Sequence, residues 1–157
     1  METKKAIIPL KDEFDFADVP SWYALCTNSD CPLHGDCLRY LAGSHAPETK
    51  ETALCVMPRA LHDGQCRWFD KTSVITMAVG FQHLYDRVLK HDYTRMRKSI
   101  TAYLHGSKLY YEYMRGERPL TPEQQRGIQY IVKECGYEWE VVYEHYYKAY
   151  RFSNPPV

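Results

Sequence analysis

Thr72-Ser-Val-Ile-Thr76-Met-Ala-Val-Gly80-Phe-Gln-His-Leu-Tyr85-Asp-Arg-Val-Leu89 is the stretch whose reading sets the class of this chain. Val74, Met77, Ala78, Phe81, Leu84, Tyr85, Val88 and Leu89 recur at three- and four-residue steps, the spacing of one apolar stripe along a helix. The β-branched opening Thr72-Ser-Val-Ile-Thr76 leaves a strand before the helix as the lesser alternative. Read as a helix, the stretch makes everything after Lys71 helical.

The residues downstream support that reading. A second helix is expected from an N-cap near Thr94 to Leu104, burying Met96, Ile100, Tyr103 and Leu104. Gly106 stops it, Ser107 is placed to cap a third helix through Arg115, and Gly116 closes that one. Thr121-Pro122-Glu123-Gln124 is the clearest start signal: Thr121 caps, Pro122 suits the first helical position and Gln124 completes a capping box. That helix buries Ile128, Ile131, Val132 and Cys135 and stops at Gly136. A last helix is expected from Glu138 to Tyr150, with Trp139, Val142, Tyr143, Tyr146 and Tyr150 on one face, before Asn154-Pro-Pro.

Upstream the pattern is irregular. Residues 1–21, with Pro9 and Pro20, read as an extended arm, and residues 22–71 as a loop-rich, Cys-rich lobe. That lobe should hold a short helix at 37–43 and a strand at 53–57. The expectation is a mainly α protein: an irregular Cys-rich N-terminal lobe packed on a bundle of about four to five helices, the helical domain being residues 72–157.

The lobe carries the chemistry. Cys26-Thr-Asn-Ser-Asp-Cys31-Pro-Leu-His-Gly-Asp-Cys37 sets three thiols among turn formers, so a short chain can fold back and bring several sulfurs to one point. No apolar core of a secretory leader is found in Met1–Leu10, and no later stretch approaches the roughly 18 apolar residues of a membrane span. The expected location is the cytoplasm, where clustered thiols stay reduced and are metal-binding or catalytic more often than bridged.

A structural thiolate site needs four ligands converging tetrahedrally, with metal–sulfur distances of about 2.3 Å. Cys26, Cys31, Cys37 and Cys66 are chosen as metal ligands. Cys66 follows the polar turn His62-Asp-Gly-Gln, whereas Cys55 sits in the apolar run Ala53-Leu-Cys-Val-Met and suits a small buried hydrophobe. Cys55 and His34 remain alternates. Zinc is the expected ion, with an iron–sulfur cluster as the alternative on the same ligands. Four protein ligands leave no open position for a substrate, which argues against hydrolytic zinc chemistry.

Charge and tyrosine are unevenly spread. The chain is neutral overall, yet residues 1–80 carry net −3 and residues 81–157 net +3, and 12 of the 14 tyrosines follow residue 80. Between 87 and 118, eight basic residues face three acidic ones. Arg95, Arg97, Lys98, Lys108, Tyr111, Arg115 and Arg118 are the candidate nucleic-acid contacts, Lys108, Tyr111 and Arg115 on the expected reading helix and the others on phosphates. The bland alternative is a set of solvated helix faces with surface ion pairs among Arg115, Glu117 and Arg118. Tyrosine-rich helices also suit a protein partner.

The seven histidines show no metal-binding helical spacing, and there is no phosphate loop, nucleophile elbow or Ser–His–Asp order. No enzymatic activity and no small-molecule substrate are expected on these motifs.

Two resemblances add to this reading. Ile100-Thr-Ala102-Tyr-Leu-His-Gly106-Ser, then Tyr110-Tyr-Glu-Tyr-Met-Arg115-Gly116-Glu117-Arg118, then the capped helix to Gly136, resembles the helix-turn-helix of Cro- and CI-type repressors over residues 94–136. The interval from Gly106 to Gly116 is shorter than that family's pattern, which would truncate the recognition helix. The resemblance implies DNA binding and a regulatory role. Across most of the chain, the cysteine layout with Cys66-Arg-Trp-Phe and Tyr110-Tyr-Glu-Tyr-Met-Arg-Gly-Glu-Arg-Pro-Leu-Thr-Pro-Glu-Gln-Gln resembles an uncharacterised family of gut-bacterial proteins. That resemblance implies a cytosolic location and Cys66 over Cys55, and carries no activity.

Overall fold

The computed structural model describes residues 5–157, and the first four residues of the expected N-terminal arm lie outside them. Among the described residues the chain forms four α-helices and five strands in two small sheets. The architecture is mixed α and β, which corrects the mainly α expectation. Two stretches read as helix are strands: β4, Val74–Val79, and β5, His145–Tyr150.

The reason lies in pairing that spacing does not reveal. Val74-Ile-Thr-Met-Ala-Val is nearly all apolar, so it satisfies a helical and a strand period alike, and its β-branched residues favour the strand. Gly80, at φ +73°, then takes a conformation that ends the strand and that a helix interior cannot accept. β5 is the middle strand of its sheet, in the order β1-β5-β4, with β1 being Ile7–Ile8. Ile7 lies opposite Tyr146 and Ile8 opposite Tyr147 in a parallel pair. Tyrosines at 146, 147 and 150 suit that half-buried ladder, and the sheet overrides their helical spacing. The expected strand at 53–57 is instead a single bridge, in which Leu25 donates to Leu54 O and accepts from Val56 N–H.

The chain divides into two compact units. One takes the described residues up to Leu10 and Ile75–Ala149. Its helices are α2, Lys90–Tyr103, α3, Ser107–Met114, and α4, Pro122–Glu134. α2 packs against both of the others, and their apolar faces meet in a core that includes Phe81, Met96, Ile100, Leu104, Tyr110, Leu120, Ile128 and Val132. Each such fully buried aliphatic side chain contributes about 1.5–3 kcal/mol by leaving water. The capping box forms as expected: Gln124 N–H donates to Thr121 Oγ1 at 3.3 Å, and Thr121 N–H donates to Gln124 Oε1 at 3.0 Å.

The other unit is Lys11–Val74 with Tyr150–Val157. It contains α1, Leu38–Ser44, and a hairpin of β2, Leu61–His62, and β3, Gln65–Cys66. Its core is Tyr23, Leu25, Leu38 and Ala42, with Phe14, Phe16, Tyr150 and Phe152 packed on them. Buried Asp70 accepts from the Tyr23 hydroxyl at 2.5 Å and from Ser153 Oγ and N–H at 2.8 and 3.1 Å.

Candidate metal centre

Three consecutive turns wind the first cysteine segment. Asp30 N–H donates to Asn28 Oδ1, Cys31 N–H to Asn28 O, His34 N–H to Cys31 O, and Cys37 N–H to His34 O. These short-range bonds bend the chain from Cys26 to Cys37 around one point, as its Asn, Ser, Asp and Gly content dictates. Cys37 then caps α1 and bridges to Lys71, while Cys26 N–H donates to Arg39 O at 3.0 Å.

The fourth sulfur arrives on the hairpin. Asp63 and Gly64 both have positive φ, the two-residue type I′ turn that matches the twist of paired strands. That turn sets Cys66 opposite Leu61. Asp-Gly is the strongest short hairpin signal, so this pairing was available in the sequence although the expectation there was only a loop.

Cys26, Cys31, Cys37 and Cys66 line one cavity together with His34, Arg39, Tyr40 and Trp68. Its volume of about 20 Å³ is room for a single water-sized atom. Burial pushes the Cys26 thiol above its ordinary pKa, the Asn28 N–H opposes that, and charge on Cys37, Cys31 and Cys66 pushes the same way as burial. All four are free thiols, and among the described residues no group of three or more His, Cys, Asp or Glu stands where it could hold a metal ion. Of the alternates, Cys55 is exposed and does not line the cavity, whereas His34 does. Cys135, at the end of α4, belongs to the other unit.

Arg39 was not anticipated. It is 2% exposed, donates from Nε to Trp68 O at 2.8 Å and from Nη1 to Ala24 O at 3.0 Å, and lies over the Tyr23 and Trp68 rings. Among the described residues no carboxylate oxygen pairs with it within 4 Å. A buried guanidinium is costly without compensation; here two carbonyls and two aromatic rings surround it, Asp70 is bonded to the Tyr23 hydroxyl beneath it, and the cavity thiols line the same pocket. Within Leu38-Arg-Tyr-Leu nothing marks Arg39 as buried, because its burial depends on residues 24 and 68.

The candidate nucleic-acid contacts lie in the other unit. Arg95, Arg97 and Lys98 stand on α2, Lys108 and Tyr111 on α3, and Arg115 and Arg118 just after it. Arg115 pairs with Glu117 at 2.6 Å, Arg118 with Glu112 at 3.0 Å and Arg95 with Asp92 at 3.8 Å. Arg97 donates to the Tyr111 hydroxyl. Lys98 and Lys108 are exposed. Four of the six cations thus have partners within their own unit. A second cavity of about 300 Å³ in this unit is lined by Lys5, His83, Asp86, Arg87, Trp139 and Glu144. Lys5 there is bonded to Tyr143 O and Glu144 O, and His83 to Asp86.

Among the described residues no helix is long and apolar enough to cross a membrane. No curated protein and no solved structure matches the chain. A family model described as a family of unknown function (DUF6078) matches residues 10–152, and the chain belongs to that family.

Proposed function

We propose that this protein binds a single structural zinc ion through Cys26, Cys31, Cys37 and Cys66, and that it acts as a non-enzymatic cytoplasmic binding protein. The observation that supports the reading is that these four cysteines, from two separate segments, line one cavity together with the buried Arg39. The donor set fits the ion chemically, since four thiolates around Zn²⁺ leave a net −2 that a buried guanidinium offsets in part. Bound zinc would cross-link the first cysteine loop to the β2–β3 hairpin. The thiols would have to lose their protons and draw inward to the cavity centre. Arg39 would stand beside the bound thiolates, and Trp68 lines the same cavity. Zinc is the ordinary structural ion of four thiolates, and an iron–sulfur cluster on the same ligands is the competing reading. The cytoplasmic placement rests on the need for reduced thiols.

The test is metal analysis of freshly prepared protein, with one zinc per chain and no visible absorption expected. Cys→Ser at 26, 31 or 37 should lower metal content, and Cys55→Ser and Cys135→Ser should leave it unchanged. Brown protein with iron and sulfide would replace zinc by the cluster, and metal-free protein that takes up no zinc would end the reading. DNA binding by the 94–118 segment has less support, because its arginines are already paired with neighbouring acids and a tyrosine.

A further inference from the structure

The geometry points to His34 as a fifth donor, one that meets the ion first and takes the place of Cys66 when the ion is exchanged. This inference rests on the metal-site reading above and adds a route by which that structural ion enters and leaves.

The argument begins with counting donors. Four tetrahedral positions face five candidate donors on one cavity wall, Cys26, Cys31, His34, Cys37 and Cys66. His34 differs from the sulfurs in being exposed, whereas Cys26, Cys31 and Cys66 are half-buried and Cys37 is buried. An ion arriving from water therefore meets the imidazole before the full thiol set.

The ring is also set up for ligation. His34 Nδ1 lies 2.6 Å from Cys31 O, and only a donating Nδ1–H can make that contact with a carbonyl. The neutral ring then keeps its lone pair on Nε2, the arrangement in which a second hydrogen bond orients a metal-binding histidine. Tyr40 holds the ring edge-on, with centroids 4.9 Å apart. The carbonyl the ring bonds belongs to Cys31, and the backbone carbonyl of His34 accepts from Cys37 N–H, so the residue is tied to two ligand residues, by its ring to one and by its backbone to the other.

Cys66 is the sulfur that yields. Cys26, Cys31 and Cys37 share one twelve-residue segment, while Cys66 stands on a hairpin of only two residue pairs. In the exchange the bond from Nε2 to the ion forms, the bond from Cys66 sulfur breaks, and the freed thiolate takes a proton from water. No electron moves.

The experiment loads the full-length protein with Co²⁺, whose thiolate charge-transfer absorption counts bound sulfurs. It then times loss of the ion to excess chelator. Wild type should show four thiolates. His34→Ala should keep that spectrum and stoichiometry but lose the ion measurably more slowly. Cys66→Ser should keep the ion with three thiolates, and Cys66→Ser with His34→Ala should bind about a hundredfold more weakly than Cys66→Ser alone. Equal release rates for wild type and His34→Ala would overturn the exchange role, whether or not the Cys66 variants fold. Equal affinity of the single and double Cys66 variants would overturn the donor role. A wild-type chain that takes up no Co²⁺ would sink the metal site itself, a result separable from failure at His34.

Discussion

Gly43 of α1 lies so close to Cys26 that a Cβ built on it would stand 2.2 Å from the Cys26 carbonyl oxygen and 3.2 Å from its nitrogen. The helix thus rests directly on the backbone of the first candidate ligand, where no side chain fits. Helix propensity alone would favour Ala here by about 1 kcal/mol. The clash is with backbone and should win, so Gly43→Ala is expected to destabilise the Cys-rich unit by about 1–3 kcal/mol. It should also weaken Co²⁺ binding by shifting Cys26. Urea unfolding with a metal titration checks both, and a stabilised variant with unchanged affinity would contradict the close contact.

Tyr143 is 3% exposed, and its hydroxyl has no hydrogen-bond partner among the described residues. Burial, its main cause, pushes its pKa far up, with Tyr146 adding to the effect. Removing an unsatisfied buried hydroxyl relieves its desolvation cost, so Tyr143→Phe should be neutral or stabilise by about 1–2 kcal/mol. Tyr110→Phe is the contrast. The Tyr110 hydroxyl donates to Tyr85 Oη at 2.8 Å, and its loss should cost about 1 kcal/mol. Denaturant midpoints that reverse this order would refute the assignment.

Alkali should unfold the protein early. Burial, the leading cause, raises the pKa values of Tyr23, Tyr85 and Tyr143, with Asp70 adding to the shift at Tyr23 and Tyr110 to that at Tyr85. A tyrosine whose folded pKa lies above its unfolded value contributes stability that is whole below the unfolded pKa and lost as pH rises past it. The window therefore opens near pH 10, where free tyrosine ionises. Above it, each of the three should remove about 1.4 kcal/mol per pH unit. Unfolding free energies at pH 8, 10 and 11, with tyrosinate absorbance, measure this. A flat profile from 10 to 11 is the result that counts against it.

Thr121→Ala removes the acceptor of the capping box at the start of α4. A loss of about 1 kcal/mol is expected, with helix content nearly unchanged because the apolar face of α4 still packs. Gln124→Ala should cost more than a cap alone, since Gln124 Nε2 also donates to the Tyr113 hydroxyl at 2.9 Å. Equal midpoints for both variants and wild type would show that the cap contributes nothing.

What the sequence determined by itself is local. Thr121-Pro122-Glu123-Gln124 starts α4, Gly106 and Gly116 bracket α3, and the Asn, Asp and Gly of the Cys26–Cys37 segment wind its turns, because each signal acts through bonds a few residues long. Asp63-Gly64 was equally local and stated the hairpin that presents Cys66. Tertiary structure decided the rest. Val74–Val79 and His145–Tyr150 became strands because ladder partners far along the chain satisfied their backbones, and an apolar run or a tyrosine spacing compatible with both periods cannot reveal such partners. Cys66 lines the cavity and Cys55 does not because of where a hairpin and a single bridge fall. Arg39 is buried because Ala24 and Trp68, 15 and 29 residues away, supply its acceptors, and no window of sequence around residue 39 contains them.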